Sequence, residues 1–299
     1  MRVLISGSSG FIGSPLVRHL RASGHTVTRL VRSTSTGEDS SITWDPERGE
    51  INTADLGGFD AAIHLGGENM ANRRWSQAQK DRIHNSRIDS ARILTEALLA
   101  SPNPPSIFIC ASASGYYGDR GDEVLTEESE PGTDFLSGST VAWERATDGI
   151  ASAGVRVCNL RFGLVLGASG GVLQRLLPIF RLGLGGRLSS GRQYTSWISR
   201  RDVVRAIDHV MVNGSISGPV NVSSPVPVTN SEFTSALAKA VRRPALFIVP
   251  RLALRIMQGE VTDAVLSSVR MQPSILTNSG FEFDHPDIAS ALAWALNDR

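Results

Sequence analysis

Residues 2–13 read RVLISGSSGFIG: an apolar run, Arg2–Ser6, then glycines at positions 7, 10 and 13. The run has the length and composition of a buried strand, and residues 11–23 carry helical spacing. A Gly-x-x-Gly-x-x-Gly turn between a strand and a helix has a definite physical use. The first glycine permits the tight turn, the second lets a pyrophosphate approach the backbone, and the third lets helix and strand pack closely. The helix N-terminus then presents its amides to the phosphates. Gly7, Ser9, Gly10, Phe11, Ile12 and Gly13 are accordingly candidate binding residues for a dinucleotide.

The next strand, His25–Val31, indicates which dinucleotide. An acidic residue at its end binds a ribose 2′-hydroxyl, whereas an arginine accommodates a 2′-phosphate. This strand ends in Arg32 and Ser33, with no acid before Glu38, so the sequence favours NADP(H). Arg29 points to the same side or the opposite one, depending on register.

Outward from there the chain alternates strand-length and helix-length segments. Strands are expected at 41–44, 61–65, 106–111 and 155–162, and helices over 76–100 and 142–153. A turn-rich stretch, LGLGGRLSSGRQYTSW, follows a helix at 172–182. Beyond it lie helices at 202–212 and 230–241 with an extended 219–222 between them, then helices at 250–257, 259–269 and 287–297. The pattern predicts an α/β fold, a Rossmann-type doubly wound parallel sheet with a smaller, mostly helical C-terminal substrate lobe. The expected division is 1–166 for the Rossmann core, 167–242 for segments partly completing its sheet, and 243–299 for a C-terminal helical module.

Composition narrows the function classes. The 299 residues are 41% hydrophobic and 20% charged, with a formal net charge of +1, so no global field draws the chain to nucleic acid or an anionic membrane. No apolar stretch is long enough to span a bilayer, and the N-terminus resembles no signal peptide, so the expected location is cytoplasmic. The two cysteines, Cys110 and Cys158, lie in apolar strand-like runs and read as packing, with no metal spacing around them. The expected partner is a small-molecule substrate, and the expected state a monomer or homodimer. A nucleic-acid-binding module is the remotest reading, since no docking motif accompanies the balanced charge.

GSSGFIG at 7–13, AAIHLGG at 61–67, ASASGYYG at 111–118 and RFGLVLG at 161–167 resemble segments of the extended and atypical short-chain dehydrogenase/reductases. Within them, RRWSQAQKDRIHNSR at 73–87, Trp143–Glu144 and GEVTDAVLSSVRMQPSILTNSGFEF at 259–283 resemble an uncharacterised NAD-dependent epimerase/dehydratase subgroup with a C-terminal helical module. The resemblance covers essentially the whole chain. It implies an NADP(H)-binding Rossmann fold and, by name, sugar-nucleotide epimerase chemistry. It also implies that Leu65, Gly66 and Gly67 pass along the adenosine, and that 161–167 lines the nicotinamide.

The same resemblance exposes a gap. In the superfamily a tyrosine exchanges a proton and a lysine four residues later holds the ribose and tunes the phenol. Aligned on Glu144, those places fall to Leu136 and Thr140, and residues 131–143 contain no Tyr or Lys at all. The remaining candidates are Ser112 or Ser114, to orient a substrate carbonyl, and Tyr116 or Tyr117, as substitute acid. Lys80, Ile83 and Arg87 share a helix face by spacing. With Arg73, Arg74 and Trp75 they form either a cationic patch, Lys80 towards an anionic substrate and Arg87 towards the cofactor, or a solvated face. By analogy of position, Arg192, Trp197 and Arg201 reach for substrate. His64 is expected to pack, and the acidic loop DRGDEVLTEESEP to be a solvated lid. Two functions follow: an NADP(H)-dependent oxidoreductase or epimerase acting on a small polar, nucleotide-linked or simpler, substrate, or a non-catalytic NADP(H)-binding redox sensor or regulatory protein.

Overall fold

The structure, a computed structural model, describes residues 1–33, 40–68 and 75–298. Strand β1 (Arg2–Ser6) leads through the glycine turn into helix α1 (Gly13–Ala22) and strand β2 (Thr26–Val31). β3 (Ser41–Asp45), β4 (Glu50–Ile51) and β5 (Ala61–His64) precede the long helix α2 (Gln77–Leu99). β6 (Ile107–Ala113), α3 (Phe135–Arg145), β7 (Arg156–Phe162) and β8 (Gly218–Val222) follow. The strands form one sheet in the order β8-β7-β6-β5-β1-β2-β3-β4. β1 pairs in parallel with both β2 and β5, β2 with β3, and β5 with β6, while β3 and β4 are antiparallel. This is the Rossmann-type α/β fold that the alternating segments predict.

The apolar runs explain the sheet. Val3, Leu4, Ile5, Ala61, Ala62, Ile63, Ile107, Phe108 and Ile109 are all at most 1% exposed, as strands covered on both faces require. Cys110 and Cys158 are buried, unpaired residues of β6 and β7. Ser76 caps α2 by accepting a hydrogen bond from the Gln79 amide, and Ile83, Leu94 and Leu98 face inward.

One helix differs from expectation. The reading of 142–153 as a single helix gives way to α3, which starts at Phe135, and a separate turn of helix at Asp148–Ser152. The Asp134 carboxylate starts α3 by accepting from the Ser137 amide and hydroxyl at 2.9 and 3.1 Å. The run Ser137–Thr140 is poor in helix formers and hides that beginning from a periodicity argument. The Thr147 hydroxyl donates to the Glu144 carbonyl where the two helices part.

The chain divides into two compact units whose segments alternate along the sequence. The first comprises Met1–Ser112, Ser139–Leu160 and Ile207–Pro219, and the second Ala113–Gly138, Arg161–Ala206 and Val220–Arg299. Within the second, helices Gly171–Arg181, Asn230–Val241 and Ile288–Asn297 bury Leu173, Leu177, Phe233, Leu237 and Leu292 around Trp197. The stretch read as turns contains short strands at Gly186–Leu188, Tyr194–Thr195 and Trp197–Ser199, and the helix expected over 259–269 is confined to Val261–Leu266.

Candidate functional site

Because the chain builds outward from β1 in both directions, the C-terminal ends of β1 and β5 form the sheet's switch point, where open α/β sheets take ligands. The glycine turn sits there. Gly7 has φ +68°, and a Cβ on it would lie 2.7 Å from the Leu65 carbonyl carbon, so the turn and the segment after β5 lie back to back. A Cβ on Gly13 would lie 2.1 Å from the Gly7 carbonyl oxygen, which ties the start of α1 against the turn. Gly10 is different: among the described residues its added Cβ would meet only the Gly7 oxygen, at 3.2 Å. Its outer face is open. No side chain caps α1 and its first turn holds no acid, as suits a helix start that receives an anion.

The cations around the turn are now placed. Arg29 donates through Nε to Ser8 Oγ at 3.1 Å, which settles its register on the side of the turn. The sequence could not choose that side and did not single out Ser8. Arg32 and Ser33 are exposed just beyond β2.

Behind the turn, His64 is fully buried, its Nδ1 2.6 Å from Ser6 Oγ and its Nε2 3.0 Å from Ser90 Oγ. Desolvation holds its imidazole down to about 4, so it is a neutral strut between β1, β5 and α2. Arg87 donates to the carbonyls of Ile83 and Glu68 at 3.0 and 2.9 Å, and its guanidinium lies 5.3 Å from the Trp143 ring centroid. Burial lowers it to about 10, with Glu68 acting in the opposite direction. Arg87 thereby fixes the path of 66–68. Lys80, on the same helix, is half-buried, and Arg73 and Arg74 lie outside the described residues.

Ser112, at the end of β6, is 3% exposed and donates to Glu144 Oε1 at 2.6 Å. Thr140 is buried on the same helix as Glu144, and His84 Nδ1 lies 3.1 Å from Ser139 Oγ.

The phenols belong to the second unit and differ sharply. Tyr117 is fully buried; its hydroxyl lies 2.6 Å from Asn221 Oδ1 and 3.0 Å from the Thr126 carbonyl, and accepts from Arg161 Nη1 at 3.0 Å. Desolvation pushes the phenol up to about 12, against the pull of Arg161. Tyr116 is half-buried, and the Arg161 guanidinium stacks 3.4 Å from its ring centroid. Among the described residues the Tyr116 hydroxyl makes no hydrogen bond. Leu136 is half-buried. Arg161 lies in the RFGLVLG segment, and nothing local in the sequence marks it as the partner of both phenols.

Two expectations are corrected, for Trp197 and the acidic loop, and Arg201 is placed. Trp197 is 0% exposed in the apolar core, its indole N–H donating to the Val226 carbonyl at 3.0 Å, so it offers no surface to a substrate. Arg201 is paired with Asp284 at 2.5 Å. The acidic loop is not wholly solvated: Glu127 is buried and accepts from the amides of Asn221 and Ile275, both at 3.1 Å. Arg192 is exposed on a cavity of about 360 Å³, also lined by Asp119, Ser190 and Arg251.

This strand order, with a glycine turn at its switch point, defines a Rossmann-type protein of the extended short-chain dehydrogenase/reductase class. A model described as the NAD dependent epimerase/dehydratase family matches residues 3–223, and the Domain of unknown function (DUF1731) matches 249–295. The chain belongs to the NAD dependent epimerase/dehydratase family. It is 44% identical to an epimerase family protein of Mycobacterium bovis over 98% of this chain and 97% of that one. The crystal structure of human epimerase family protein SDR39U1 with NADPH superposes with a TM-score of 0.91, at 31% identity and 100% of both chains. A nucleoside-diphosphate sugar epimerase from Corynebacterium glutamicum gives 0.82 at 34% identity, covering 99% of this chain and 58% of that one.

Proposed function

We propose that this chain binds NADP(H) at the glycine turn and acts as an oxidoreductase or epimerase on a small polar substrate, nucleotide-linked sugars being the leading class. The observation that carries the reading is the open face of Gly10 beside the uncapped start of α1, a cradle that any side chain would fill. NADPH in the human relative supports the choice of cofactor. In this reading the amides of 9–13 take the pyrophosphate, Arg32 and Ser33 with Arg29 take the 2′-phosphate, and Leu65–Gly67 flank the adenosine. The nicotinamide, when bound, supplies hydride exchange.

The protein's own chemistry is sparse. With its proton engaged by Glu144, Ser112 offers a lone pair, which suits a substrate hydroxyl better than a carbonyl. Tyr117 is committed to its buried network, so Tyr116 is the phenol we assign to proton exchange, with Arg161 supplying fixed positive charge beside its ring. Lys80 and Arg192 are each kept as a candidate for contact with an anionic substrate. The test is nicotinamide absorbance against a panel of sugar nucleotides and carbonyl compounds, with Tyr116→Phe alongside. Turnover lost in that variant, with NADPH affinity kept, supports the assignment, and full turnover removes Tyr116 from the mechanism.

The second reading, a redox sensor or regulatory protein without turnover, is favoured by Leu136 and Thr140, neither of which exchanges a proton at neutral pH. NADPH binding with no turnover by the unmodified protein anywhere in the panel would favour it.

A further inference from the structure

The second unit carries a surface that the dinucleotide reading leaves unused. Leu246, Leu182, Leu252 and Ile256 are 85, 74, 71 and 67% exposed, and Ile179, Leu184, Phe247 and Ile248 about half exposed. They lie on adjoining segments. Gly186–Leu188 pairs with Phe247–Val249, Arg243 Nε donates to the Arg181 carbonyl at 3.1 Å, and helix Arg251–Gln258 follows that strand directly. On the helix, Leu252 and Ile256 share one face by i, i+4 spacing, while Leu254 turns inward at 4% exposed. At roughly 150–200 Å² for a fully exposed side chain of this size, the eight present on the order of 800 Å² of apolar surface. The largest patch on a typical monomer is about 300–600 Å².

The charge around this patch identifies what it fits. Residues 171–188 contain Arg175, Arg181 and Arg187, residues 239–258 contain Lys239, Arg242, Arg243, Arg251 and Arg255, and neither segment has an Asp or Glu. Arg251 and Arg255 are answered by Asp263, at 2.7 and 3.0 Å. Arg175, Arg181, Arg187, Lys239, Arg242 and Arg243 are exposed. A second copy on the same face would set cation against cation, since a two-fold contact meets its own patch. Aliphatic tips interspersed with arginines match instead the boundary of an anionic bilayer, where the tips enter the acyl region and the cations meet headgroup phosphates. No described helix is long and apolar enough to cross a membrane, so the association is peripheral.

We infer that this face, centred on Leu182, Leu246, Leu252 and Ile256 and rimmed by Arg181, Arg242 and Arg243, docks the protein onto an anionic phospholipid surface. The formal charge of +1 conceals it, because the excess is local. The test is sedimentation of the full chain with vesicles of phosphatidylcholine alone and of phosphatidylcholine with about a third phosphatidylglycerol. The chain should sediment with the anionic vesicles only, and less as salt rises. Arg242→Glu with Arg243→Glu, and separately Leu246→Ser with Leu252→Ser, should each weaken partitioning at least about twenty-fold. NADPH titration and circular dichroism identify variants that remain folded. Failure to sediment with anionic vesicles overturns the proposal, as does unchanged partitioning of the folded variants. A lipid-free dimer dispersed by Leu246→Ser overturns it in favour of self-association.

Discussion

The glycine turn at 7–13 and the phenol cluster around 116–117 are built by opposite means. The turn works by leaving side chains out: Gly13 removes a clash, Gly7 takes a left-handed φ, and Gly10 keeps a face open. The cluster works by filling space, with Arg161, Asn221 and Glu127 closing around Tyr117 while the Tyr116 hydroxyl is unbonded among the described residues. A site made of backbone is written in the sequence as spacing. One made of side chains from distant segments is not.

The comparison breaks most readily at Gly13. Gly13→Val places carbon where the Gly7 oxygen stands and should cost upward of about 4 kcal/mol, read as a collapse of the urea midpoint. A variant as stable as the parent would mean that the turn relaxes freely and is not a packed device.

His64 gives the next effect. Its folded-state value of about 4 lies below the ordinary 6.5, so the unfolded chain binds the proton first. Stability is complete above about pH 6.5 and is lost as pH falls towards 4, by roughly 3 kcal/mol. Urea melts across that window should show this slope, and His64→Gln should flatten it. An unchanged slope would place the titration elsewhere.

Tyr117→Phe sharpens the other side. It strands Arg161 and Asn221 without their phenol and should cost about 1–3 kcal/mol, with NADPH affinity unaltered. A stability-neutral Tyr117→Phe would show that the cluster tolerates an open position. An effect of comparable size, confined to binding, is expected at Arg32. A charge-assisted pair to phosphate is worth about 1.5–3 kcal/mol, so Arg32→Ala should erode a preference for NADPH over NADH by about ten-fold or more. Equal affinities in the unmodified protein would remove the basis of that assignment.

How far the sequence could be read follows the same division. The strand runs, the turn and most helices were legible because burial and periodicity are local properties. The start of α3 was not, since it rests on an Asp134 cap ahead of Ser137 and Gly138. Trp197 was misplaced by analogy of position, because an indole in a core and one in a pocket look alike in sequence. The partnership of Arg161 with both phenols, and the register of Arg29, needed strand pairing to appear. The apolar face of the second unit was spread over 179–256 as isolated leucines and isoleucines, and only the ladder of 186–188 with 247–249 gathers it.

The central claim, that a dinucleotide lies on the open face of Gly10, is tested most directly by calorimetric titration of NADPH into the unmodified protein and into Gly10→Glu, with circular dichroism confirming that both are folded. The variant fills the cradle with a side chain whose charge repels the pyrophosphate. Saturable binding to the unmodified protein and none to the variant is the predicted result, and equal NADPH affinity in the two would contradict it.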